Sequence, residues 1–123
     1  MILGTGIDLV SISRFQEMPR KEKMAERILT EQEYKDYLTA NDQGLFLART
    51  WAVKEAVAKA FGTGIDKDTV WKNIALRKTP LGQPVVLFLN ELESVEKICH
   101  VSISHDGDML IANAVLSYFH NGY

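Results

Sequence analysis

Trp51-Ala52-Val53-Lys54-Glu55-Ala56-Val57-Ala58-Lys59-Ala60-Phe61-Gly62-Thr63-Gly64 has the pattern of one amphipathic helix closed by a glycine-rich exit. At about 100° per residue, Trp51, Glu55 and Lys59 fall on one face, so a carboxylate and an ammonium address one ligand from successive turns. A phosphate with its metal ion suits that pair. Ala48, Ala52, Ala56 and Ala60 form a second row, small enough for close packing on a sheet or another helix. Gly62 and Gly64 permit positive φ and close backbone approach to a bound group. By itself the Glu55-then-Lys59 order also suits a solvated i,i+4 pair contributing about 0.2–0.5 kcal/mol.

A second acid stands in an unusual place. Asp8 interrupts the apolar run Ile2-Leu3-Gly4-Thr5-Gly6-Ile7-Asp8-Leu9-Val10, which has the composition of a core strand. A buried carboxylate requires a cation or hydrogen bonds. Two answers are open. A hard divalent cation held by Asp8 and Glu55, completed to six oxygens by water and substrate phosphate, is one; a strand-end residue capping the following helix is the other.

Gly6-Ile7-Asp8-Leu9-Val10, the Trp51-to-Gly64 stretch and Val101-Ser102-Ile103-Ser104-His105 together resemble, in order and spacing, the holo-[acyl-carrier-protein] synthase family of 4′-phosphopantetheinyl transferases. The likeness runs over nearly the whole chain. Its specific part is K-E-A-x-x-K-A-x-G-x-G following an early G-x-D. The resemblance implies transfer of the 4′-phosphopantetheine arm of coenzyme A to a serine of apo acyl carrier protein, releasing adenosine 3′,5′-bisphosphate, in fatty acid biosynthesis. It also implies magnesium at Asp8 and Glu55, catalysis by Glu55 and Lys59, and a homotrimer with sites between subunits.

Composition is compatible with this. A chain of 123 residues, 46% hydrophobic, is expected to form one domain with its own core. A formal charge of −2 argues against a general nucleic-acid binder. The lone cysteine, Cys99, precludes an intrachain disulfide and suits a reducing compartment, where it serves as a small buried hydrophobe. No secretory pattern opens the sequence and no apolar run approaches a membrane span, so a cytoplasmic protein without membrane or nucleic-acid partners is expected.

Local signals order the rest. Residues 2–10 are expected as a strand, and a helical region from Ser11 is interrupted by Pro19. Thr30 and Glu33 spell a capping box for a helix to about Ala40. A turn at residues 41–44 precedes the central helix, 45–61, and a loop is expected from Gly64 to Trp71. Residues 74–78 and 84–89 form a hairpin around Pro80 and Gly82. Asn90 and Glu93 suggest a short helix to about Lys97, followed by strands ending at His105 and running over 109–117. The fold class is α+β: an antiparallel sheet of four or five strands with helices, the long central one included, packed on one face.

Further candidates come with the resemblance. Gly62, Gly64, Pro84 and His105 join Lys59 as coenzyme A-binding residues, Pro84 on a hairpin reaching toward a neighbouring subunit. A lone strand-end histidine is otherwise often a surface residue. Arg14, Met18, Arg20, Lys23, Met24 and Arg27 interleave basic and soft apolar side chains, matching an acidic recognition helix on the carrier; with Glu17, Glu22 and Glu26 among them they also suit a plain solvated helix.

Two positions depart from the family pattern. Thr50 stands where an arginine is usual, with Arg49 one step, about 100°, away, and Ser11 replaces a frequent acid. The expected chemistry is metal-assisted attack of the carrier serine on the β-phosphorus. A metal-dependent phosphohydrolase could use the same acid pair but would not need the basic, methionine-bearing stretch, and a non-catalytic nucleotide- or carrier-binding module is a third reading.

Overall fold

Alternating burial organises the amino-terminal strand. The computed structural model describes residues 1–62 and 66–119. In chain order the elements are β1 (Ile2–Ser11), α1 (Ile12–Gln16), α2 (Lys21–Ile28), α3 (Glu31–Leu38), α4 (Gln43–Phe61), α5 (Lys67–Asn73), β2 (Ile74–Lys78), β3 (Pro84–Phe88), β4 (Lys97–Asp106) and β5 (Met109–Tyr118), with one 3-10 turn at Asn90–Leu92. Along β1, Gly6 and Val10 face inward while Leu3, Ile7 and Leu9 are exposed, the two-residue period of a pleated strand. β5 continues the pattern with Leu110, Ala112, Ala114 and Leu116 buried.

The main sheet is antiparallel, in the order β1-β5-β4, and α4 lies across its inner face. Small residues set the spacing of that contact. A Cβ placed on Gly6 would lie 1.8 Å from the Ala56 carbonyl oxygen, and one on Gly4 would lie 2.1 Å from that of Ala60, so strand and helix backbones touch directly. The alanine row of α4 therefore meets glycine on the sheet. The other side of α4 packs under α1, α2, α3 and α5, where Phe15, Ile28, Tyr37, Leu47 and Trp71 complete the core.

The expected α+β class, the long central helix and the capping box are present. The Thr30 hydroxyl accepts from Glu33 N at 3.3 Å while Glu33 Oε1 accepts from Thr30 N at 2.8 Å. Four boundaries differ. The five strands form two sheets rather than one, because β2 and β3 are half the length of the other strands and satisfy their ladder with each other in full register. Helix α5 occupies much of the expected loop: the Asp66 carboxylate accepts from Asp68 N at 3.2 Å and the helix buries Val70 and Trp71. Asp42 caps α4 through Leu45 N at 3.0 Å, starting it two residues earlier. The helix expected from Asn90 to Lys97 is only a single turn, since Asn90 has φ 48° and Phe119 N donates to the Glu96 carbonyl at 3.1 Å, drawing the chain back to the sheet.

Candidate functional site

The even-numbered face of β1 carries Asp8 two residues beyond Gly6, and so against the same helix. The Lys59 ammonium donates to Asp8 Oδ1 at 3.2 Å and to the Ile7 carbonyl at 2.8 Å. Its side chain remains 53% exposed while that of Asp8 is 14% exposed, so the amine covers the acid and still meets solvent. Glu55, one turn back on the same helix face, is buried. The structure thus brings the Asp8 and Lys59 expected from sequence into contact, with Glu55 on the adjoining turn. Gly62 ends α4 at φ 81°, with open space on its Cβ side. Gly64 lies outside the described residues.

Two carboxylates beside an ammonium form a hard oxygen donor set. Among the described residues no cluster of three or more His, Cys, Asp or Glu is assembled to hold a metal. The pair fits a cation such as magnesium that draws its other ligands from water and substrate oxygens, and not one that needs a complete protein cage.

Pro84 and His105 meet elsewhere. They line a cleft of about 220 Å³ with Arg49, Lys78 and Gly82, formed where the β2–β3 hairpin leans over β4. Arg49 and Lys78 also line the adjoining 410 Å³ cavity with Phe46, Leu76 and Arg77. Thr50 takes no part in the smaller cleft: it is buried, and its hydroxyl donates to the Phe46 carbonyl at 2.9 Å. The cations at this corner are therefore Arg49 and Lys78, with Arg77 in the adjoining cavity. Between Arg49 and Lys59 lie ten steps of α4, about 15 Å, so one chain carries the acid group and the Pro84–His105 cleft apart.

The basic stretch spans α1 and α2. Arg14, Arg20, Lys23 and Arg27 are exposed, whereas Met18 and Met24 are half-buried against the core, dividing their surface between core and solvent. Arg14 lies over Phe15 at 5.3 Å and Trp51 at 6.0 Å, tying this surface to the start of the Trp51 motif. Asp108, in the β4–β5 turn, accepts from Ser13 N at 2.7 Å and from the Ser11 and Ser13 hydroxyls, fixing the start of α1. These bonds, that of Ser11 first, hold its carboxyl below the ordinary value.

Sequence reasoning missed Lys54. It is fully buried, and its ammonium donates to Glu33 Oε1 at 2.6 Å, the Ile28 carbonyl at 2.7 Å and the Trp71 carbonyl at 2.7 Å. Burial pushes it down to about 8, with Glu33 opposing, so it stays protonated at neutral pH. Its one trace in the sequence is a charge beside Val53 in a helix otherwise rich in small apolar residues, and the neighbouring Glu55 obscures it.

Residues 4–116 match the 4′-phosphopantetheinyl transferase superfamily. The holo-[acyl-carrier-protein] synthase of Geobacillus sp. (strain WCH70) is 40% identical, covering 94% of this chain and 97% of its own. A crystal structure of a holo-(acyl-carrier-protein) synthase from Bacillus anthracis in complex with CoA (3′,5′-ADP) superposes with a TM-score of 0.79 at 37% identity, covering 94% and 96%. The holo-[acyl-carrier-protein] synthase of Neisseria meningitidis gives 0.83 at 32% identity, covering 95% and 99%.

Proposed function

The chain belongs to the 4′-phosphopantetheinyl transferase superfamily, and from that membership we propose that it transfers the 4′-phosphopantetheine arm of coenzyme A to a serine of apo acyl carrier protein, as a holo-[acyl-carrier-protein] synthase serving fatty acid biosynthesis in the cytoplasm. The observation that carries the reading is the Asp8–Lys59 contact beneath an exposed ammonium, with Glu55 one turn away. The synthase activity in the names of its relatives, one of them crystallised with CoA, favours transfer over phosphohydrolysis or simple binding.

Asp8 and Glu55 would hold magnesium, which supplies divalent charge to neutralise the pyrophosphate when bound. Lys59, exposed at its end, would exchange Asp8 for a pyrophosphate oxygen, placing a positive charge where negative charge builds. The carrier serine oxygen forms a bond to the β-phosphorus as the bond to the bridging oxygen breaks. Adenosine 3′,5′-bisphosphate leaves, and Glu55 is the candidate acceptor on this chain for the serine proton. Pro84 and His105, with Gly62 and Gly64, would take the rest of coenzyme A. Arg14, Arg20, Lys23 and Arg27 would steer an acidic carrier helix onto α1 and α2, Met18 and Met24 adding apolar contact.

We assign a homotrimer with sites shared between neighbouring subunits. The separation of the acid group from the Pro84–His105 cleft supports it, as does the outer face of the main sheet, where Leu3, Ile7, Leu9, Met109 and Ile111 are exposed together.

The test is mass spectrometry of an apo carrier incubated with coenzyme A, magnesium and this chain. A gain of one phosphopantetheine is expected; phosphate release without a gain would favour hydrolysis. Glu55→Gln should slow transfer at least about a hundredfold, roughly 3 kcal/mol of transition-state stabilisation, with the fold intact. Near-normal transfer by the variant would remove Glu55 from the site.

A further inference from the structure

One buried charge is unused by this chemistry. Lys54 immediately precedes Glu55, yet its side chain enters the opposite layer, where its three acceptors come from α3, the carboxyl end of α2 and α5. Glu33 is equally occupied. Beyond Lys54, its Oε1 accepts from Thr30 N at 2.8 Å and its Oε2 from Leu76 N at 2.7 Å, near the base of the hairpin that carries Gly82 and Pro84.

We propose that Lys54 and Glu33 are a positioning pair that fixes the turn of α4 bearing Glu55 and the root of the β2–β3 hairpin bearing Pro84 in one arrangement. The inference rests on the transfer reaction proposed above. Its physical basis is the smoothness of the opposite contact. Alanine on α4 meets glycine on β1, so few side chains interlock there to resist rotation of the helix. A turn of about 20° about the axis of a helix roughly 10 Å across moves a side-chain end by about 2 Å. That displacement is large for a reacting group, since an error of about 1 Å can cost on the order of a hundredfold in rate. An ammonium with all three donors engaged is a peg at one angular position. Stability alone does not explain it, because buried ion pairs are often replaced by apolar groups of similar volume without loss.

The double variant Lys54→Met/Glu33→Gln removes both charges; the glutamine oxygen retains the capping box, while its amide nitrogen replaces the oxygen that accepted from Leu76 N and so releases the hairpin. Its urea midpoint is expected to recover most of what Lys54→Met alone loses. Its kcat should nevertheless stay at least tenfold below wild type and its KM for coenzyme A should rise, with KM for the carrier within twofold. Return of kcat and KM together with stability would make the pair merely structural and overturn the proposal, as would failure of the double variant to fold. Glu33→Gln alone provides a second arm: a fall in kcat of at least threefold at unchanged carrier KM is expected, and an unchanged kcat would overturn the proposal. A wild-type chain that transfers nothing would instead overturn the function itself, so the two failures are distinguishable.

Discussion

Cys99 sits in β4 with 6% of its surface exposed, and burial pushes its thiol up to about 11 from the ordinary 9. The folded thiol holds its proton more tightly than the unfolded one. Its contribution to stability is therefore complete below about pH 9 and is lost as pH rises through 11. At pH 8 a disulfide reagent should label folded protein far more slowly than protein in guanidinium, and between pH 9 and 11 wild type should lose more stability than Cys99→Ala, read by urea midpoints. Equal labelling rates would show that the thiol is accessible. At this scale Asp8 stood out in the sequence because a carboxylate inside an apolar run requires a partner, and the structure supplies Lys59. Lys54 did not, because Glu55 and Lys59 beside it make a polar patch of ordinary appearance, and its acceptors come from segments 17 to 26 residues distant.

The helix–strand seam is the element-scale determinant of the site. Asp8 reaches Lys59 because Gly4 and Gly6 let β1 lie directly on Ala56 and Ala60. Gly6→Ala forces a methyl group into the Ala56 carbonyl, and the resulting overpacking should cost about 3 kcal/mol in urea unfolding and lower transfer with it. A change below about 0.5 kcal/mol would mean that the seam is looser than the geometry requires. The Thr30–Glu33 box, a chemical start signal, made α3 legible, whereas the apolar run of β1 suggested a core strand and gave no sign that Leu3, Ile7 and Leu9 face outward while the glycines face the helix. Helix α5 was hidden because its apolar face is only Val70 and Trp71, too short for a periodicity, although Asp66 is a valid cap. The turn at Asn90–Leu92 went the other way, an Asn and Glu spacing overruled by a left-handed Asn90.

For the whole molecule, class and layer order follow from pattern, whereas the division of five strands into two sheets depends on pairings that periodicity does not encode. The expected homotrimer came from family resemblance, with the small size of the chain as its physical support. The structure adds the apolar outer face of β1 and β5, which a lone subunit would leave to water. Light scattering should report a trimer, and Leu9→Glu on that face should shift it toward monomer with loss of transfer. A fully active monomer would remove both the trimer and the shared site.

The distance along α4 between the Arg49 cleft and the Asp8–Lys59 contact also has a genetic consequence. If each working centre draws its acids from one subunit and its cleft from the next, two defective chains can repair one another. Glu55→Gln and His105→Ala chains, inactive apart, should regain activity when unfolded together and reassembled. With random mixing in a ring of three, about one junction in four unites an intact acid half with an intact cleft half. The recovered rate should approach that fraction of wild type, and two alleles of this gene that fail singly would complement in one cell.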